Sequence, residues 1–138
     1  MIKRVESSLI QLLDEDRRGF LFVEDSLLES ARAIKSYWQR CSRPGFKLLF
    51  SVKTNPNRHV LSVLSRVVDG FDVSSHHEAA IVRGIGVSPS SMTWSGPAKT
   101  DRALMEIAQY DADCLHLDSV DEWRAAQRFF DQREVKMT

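Results

Sequence analysis

Short apolar runs separated by amphipathic helical stripes recur along this chain about every 20 to 27 residues. Phe46 to Val52, Phe71 to Ser74, Met92 to Trp94 and Cys114 to Leu117 read as strands. Between them lie the stripes Val60, Val63, Leu64, Val67, Val68, then Ala79, Ala80, Val82, then Leu104, Ile107, Ala108. A helix between each pair of strands implies right-handed crossovers and a parallel sheet, so the predicted class is α/β. Periodicity alone leaves an open doubly wound sheet and a (β/α)8 barrel equally possible, because both repeat this unit.

The flanks extend the pattern. Val5, Leu9, Leu12 and Leu13 predict a leading helix that ends at Gly19. Phe20 to Val23 reads as a strand, and Asp25 or Ser26 as the cap of a helix carrying Leu27, Leu28, Ala31, Ile34, Tyr37 and Trp38. Phe46 to Val52 is apolar on both faces, as in a strand covered on both sides. Gly84 and Gly86 suit a helix stop, Thr100 a helix cap. A last helix starts near Ser119, with Val120, Trp123, Ala126, Phe129 and Phe130, and Glu134 to Thr138 resembles the opening of a fifth strand.

Composition narrows the function classes. Nineteen basic and 19 acidic residues cancel, with no Lys/Arg cluster of the kind that contacts a phosphate backbone, so nucleic acid is not an expected partner. No apolar stretch nears the ~20 residues that cross a bilayer, so no membrane association is expected. Met1 to Glu6 leads into no apolar segment, so a cytoplasmic location is the default expectation. Cys41 and Cys114 match no ligand spacing and read as reduced thiols; no metal site is expected.

The chemistry concentrates in Phe50-Ser51-Val52-Lys53-Thr54-Asn55-Pro56-Asn57, which sets one lysine at the C-terminal end of a strand, where α/β barrels carry their active sites. Partial desolvation there disfavours the ammonium form and leaves an amine able to form a Schiff base with an aldehyde. The plainer alternative is a strand-end lysine that snorkels to water. Gly70 to Glu78 adds Asp72 and Glu78 to a second strand end; turn, cap and first-turn charge roles account for both equally well. His76 and His77 point about 100° apart on a helix, so they read as a solvated helix start and not as a chelate.

The octapeptide resembles the Tyr-Ala-Val-Lys-Ala-Asn-Pro-Asn signature of the fold-type III decarboxylases of ornithine, diaminopimelate and arginine, which depend on pyridoxal 5'-phosphate (PLP). Phe50, Ser51 and Thr54 depart from it. Gly70 to Ser75 is similar to that family's Gly-Phe-Asp-Val-Ala-Ser strand. Ser95 to Thr100 resembles its Gly-Pro-x-Lys-Thr turn, nearest the diaminopimelate branch, and Leu117 to Glu122 its fourth strand end, whose plain role is a capped helix start.

The resemblance implies a partial (β/α)8 barrel of the alanine-racemase-like type, truncated at about the fifth strand. Residues 1–45 would form a leading helix and a strand-helix segment, residues 46–138 the first half of the PLP-binding barrel, with the C-terminal β-domain absent. It implies Lys53 as the catalytic, cofactor-holding lysine, with Ser51, Asp72 and Glu78 also at the cofactor, Glu78 able to hold the lysine ammonium once substrate displaces it. The phosphate-binding loops, the stacking histidine and the acid on the pyridine nitrogen belong to later strands. Substrate choice among small amino acids rests largely on that absent half, and full-length relatives of this kind are homodimers. Half a barrel leaves unpaired strand edges, which favour pairing with another chain.

Three functions therefore compete: a PLP-dependent decarboxylase region, a noncatalytic module that pairs with a full-length decarboxylase as a complementing chain, and a PLP-dependent racemase. Asn55-Pro56-Asn57 argues against the last, whose signature reads Ala-Val-Val-Lys-Ala-Asp-Ala-Tyr-Gly.

Overall fold

The computed structural model describes residues 21–41, 45–97 and 99–130. Helix α1 spans Glu24–Cys41, strand β1 Leu49–Ser51, α2 Arg58–Leu64, β2 Gly70–Val73, α3 His76–Gly84, β3 Met92–Trp94, α4 Asp101–Ile107, β4 Cys114–Leu115 and α5 Val120–Phe130. Single 3-10 turns, Val52–Thr54 and Pro89–Ser91, follow β1 and precede β3.

The strands form one parallel sheet in the order β1-β2-β3-β4. Each strand neighbours the next in sequence, and right-handed crossovers then carry every intervening helix to the same face. A doubly wound sheet reverses its order midway and covers both faces. The order thus decides what periodicity left open: the described residues are part of a (β/α)8 barrel.

Register separates the two faces. Phe50 lies beside Phe71, Phe71 beside Met92, Val73 beside Trp94 and Trp94 beside Leu115. That face meets Ala79, Val82, Leu104, Ile107 and Ala126 of the helices in one core. Phe71 is fully buried, which contributes roughly 1.5–3 kcal/mol. The opposite face carries the aligned row Ser51, Asp72, Thr93, Cys114, so the side turned from the helices is polar. A second apolar cluster packs Leu28 and Ala31 of α1 on Val60, Val63, Leu64 and Val67.

Local hydrogen bonds set the element ends. Asn57 Oδ1 accepts from the His59 and Val60 amides, capping α2, and Thr100 Oγ1 accepts from Ala103, capping α4 as expected. Gly70 sits where no side chain fits, since a Cβ would lie 2.2 Å from the Ser91 carbonyl oxygen.

Several expectations need correction. Residues 21–23 form no strand and are exposed. Helix α1 starts before Asp25 and Ser26 because Leu27 N–H already donates to the Val23 carbonyl at 3.1 Å. Of its stripe, Leu28 and Ala31 are buried while Ile34, Tyr37 and Trp38 are exposed.

Strand β1 is shorter than residues 46–52, because Asn55 N–H turns back to the Val52 carbonyl at 3.0 Å and Thr54 Oγ1 donates to the Ser51 carbonyl at 2.7 Å. Its residues are half-buried rather than covered on both faces. Strand β4 ends at Leu115, and in α5 Val120 and Trp123 are exposed while Glu122 is buried. The leading helix and the fifth strand fall outside the described residues.

Candidate functional site

The C-terminal ends of β1 and β2 bring the sequence-derived candidates to neighbouring positions. Ser51 is the register partner of Asp72, and its Oγ donates to Asp72 Oδ2 at 3.2 Å. Asp72 Oδ1 is buried with no hydrogen-bond partner among the described residues. Such an atom carries a desolvation cost that a donor from outside the set would relieve.

Lys53 lies in the 3-10 turn directly after β1 and makes no hydrogen bond or ion pair among the described residues. It is exposed, so the desolvation expected from its strand-end position is not found. The turn ends β1 at Ser51 and lifts the next residues out of the sheet.

Glu78 is committed locally. Its Oε2 accepts from the Ser74 amide at 2.8 Å, both carboxylate oxygens accept from Ser74 Oγ, and its own amide donates to Ser75 Oγ at 3.2 Å. This is a capping box displaced by one residue, which fixes the start of α3 against the end of β2.

The same device recurs after β4. Glu122 Oε2 accepts from the Asp118 amide at 2.9 Å, and its amide donates to Ser119 Oγ at 3.1 Å. Here the carboxylate also receives a lysine. Lys99 Nζ lies 3.2 Å from both Glu122 Oε2 and Asp118 Oδ2, donates to the Gly96 carbonyl, and its amide donates to Glu122 Oε1 at 2.9 Å. The Lys99 side chain is only 3% exposed and that of Glu122 11%. Burial pushes the Glu122 carboxyl up, but the amides of Asp118 and Lys99 and the Lys99 ammonium outweigh it and hold it below the usual range. These groups line an open cleft of about 480 Å³ with Thr100, Asp121 and Ala125.

Sequence reasoning missed the Lys99–Glu122 pair; Ser-x-x-Glu after the second and fourth strands signals the two helix caps and not the lysine. It also misjudged His76. His77 is exposed as expected, but His76 is half-buried, its Nδ1 3.1 Å from Tyr110 Oη and its Nε2 2.8 Å from Glu106 Oε2. Its ring packs on Trp94 and Tyr110 at 5.6 and 5.1 Å, because the first residue of α3 is turned toward the β3 end. Among the described residues no three His, Cys, Asp or Glu side chains gather as a metal site, and no helix is long and apolar enough to cross a membrane.

Residues 28–137 match the family model described as pyridoxal-dependent decarboxylase, pyridoxal binding domain. A probable ornithine decarboxylase of Dictyostelium discoideum is 28% identical over 95% of the chain, and a diaminopimelate decarboxylase of Pseudomonas aeruginosa is 33% identical over 63% of it. The chain spans 28% and 21% of those two relatives. Among solved structures, ornithine decarboxylase from Entamoeba histolytica superposes with a TM-score of 0.74 at 24% identity, covering 94% of this chain and 40% of that one. Diaminopimelate decarboxylase from Helicobacter pylori, complexed with L-lysine, gives 0.70 at 19% identity, covering 89% and 31%.

Proposed function

Because the chain belongs to the pyridoxal-dependent decarboxylases, matching their pyridoxal-binding domain, we propose that it is the first half of the PLP-binding barrel of an amino-acid decarboxylase, with Lys53 as the lysine that carries the cofactor. The supporting observation is that two neighbouring strand ends carry an exposed amine, Lys53, and a buried carboxylate oxygen, Asp72 Oδ1, neither of them with a hydrogen-bond partner among the described residues. That donor set fits a carbonyl cofactor that needs one free amine and further polar contacts.

When bound, PLP supplies a carbonyl for the amine and a ring that accepts the electron pair left behind as a carboxylate departs as CO2. The chain's own part is to present and store groups. Lys53 offers its Nζ as the attachment point and, once a substrate amine takes its place, carries the proton as an ammonium. Ser51 orients Asp72 through the 3.2 Å bond, which leaves Asp72 Oδ1 directed to a donor from outside the described set. Glu78, anchored on Ser74, is the acceptor for the displaced Lys53 ammonium.

The substrate class we propose is a small amino acid of the ornithine or diaminopimelate type, after the relatives, with a homodimer or a complementing chain as the assembly. Titration of the chain with PLP, followed by absorbance, tests the reading. A saturable spectral change is expected in the unaltered chain, reversed by added ornithine or diaminopimelate and lost in Lys53→Ala. The same change in Lys53→Ala overturns it.

A further inference from the structure

We propose that Lys99 is a positioning residue for the candidate cofactor site, fixing the turn after β3 against Ser74 and through it the carboxylate of Glu78. This rests on the assignment of Lys53 above. A lysine with no task runs its stem along the surface and leaves its ammonium in water. Lys99 does the opposite, being 3% exposed and spending its charge on Glu122 and Asp118 and a hydrogen bond on the Gly96 carbonyl.

Those contacts tie two connections together. The carboxylates belong to the start of α5, while the Gly96 carbonyl and the Lys99 amide belong to the turn between β3 and α4. The turn in turn touches the candidate site. Ser95 N–H donates to the Val73 carbonyl at 2.8 Å, and Gly96, at a φ of 109°, lies so near Ser74 that a Cβ would sit 3.0 Å from Ser74 Cβ. The positive φ favours glycine there, and any Cβ would press on Ser74. Ser74 is the residue whose amide and hydroxyl hold Glu78.

The path from Lys99 to Glu78 therefore runs through its bond to the Gly96 carbonyl, the close approach of Gly96 to Ser74 and the hydrogen bonds from Ser74 to Glu78. Where Lys99 is cut short, the turn loses its internal anchor and Ser74 its backstop. Glu78 then loses the placement from which it accepts the Lys53 ammonium, and an opposite charge held less closely favours the charged form of that lysine less.

The test follows fixation of PLP on Lys53 by borohydride as a function of pH, located by peptide mass, in the unaltered chain, Lys99→Met and Glu122→Gln, with thermal unfolding in parallel. The midpoint of the pH profile should fall in both variants by about half a pH unit or more. A lowered melting temperature with an unmoved midpoint overturns the proposal, since a merely structural lysine affects only the first. Should Lys99→Met prove unfolded by near-ultraviolet circular dichroism, Glu122→Gln, of almost identical shape, decides alone. Absence of label on Lys53 in the unaltered chain identifies the failure as that of the cofactor assignment, and the positioning role falls with it.

Discussion

Two lysines follow odd-numbered strands in this chain, and their surroundings differ in kind. Lys99 is enclosed by carboxylates, whereas Lys53 is exposed and has no partner among the described residues. The enclosed pair makes stability depend on pH. Glu122 is held below its ordinary value of 4.5 in the fold, so its contribution is present in full above that value and is lost as pH falls through the lower, folded one. Denaturant unfolding across this range should show stability dropping with acid in the unaltered chain, and a flatter acid limb in Glu122→Leu. Lys99→Ala, which leaves a largely buried carboxylate without its cation, should cost about 3–5 kcal/mol at neutral pH. A loss below about 1 kcal/mol, the worth of an exposed pair, contradicts the geometry.

At the scale of elements, the turn before β3 packs hard against β2. Gly70→Ala drives a methyl into the Ser91 carbonyl at 2.2 Å, a backbone atom that cannot swing away, and should destabilise by about 1–3 kcal/mol in thermal unfolding. An unchanged melting temperature contradicts the register of β1, β2 and the turn.

The elements themselves were largely legible. Met92–Trp94 is legible to the residue, because Met92 and Trp94 alternate with Thr93 between a turn and a capped helix. The ends of β1 and β4 were not, because a chain leaving a sheet is stopped by hydrogen bonds such as Asn55 to Val52, which leave no mark in hydrophobic period. The exposure of Lys53 escaped for the same reason. Lys99 and Glu122 were invisible as a pair because contact between residues 23 apart is a tertiary event, although each lay in a recognisable segment.

At the scale of the whole molecule, the barrel reading rests on strand order and one-sided helices, and the polar row Ser51, Asp72, Thr93, Cys114 marks the side that faces a barrel interior. The central claim is that this half-barrel binds PLP through one particular amine. Incubation of the chain with PLP, reduction with borohydride and peptide mapping test it most directly. The account predicts a single reduced pyridoxyl adduct on Lys53 and none in Lys53→Ala, with Lys99 unlabelled inside its carboxylate pair. Equal labelling of Lys53→Ala, or an adduct spread over the surface lysines, contradicts it.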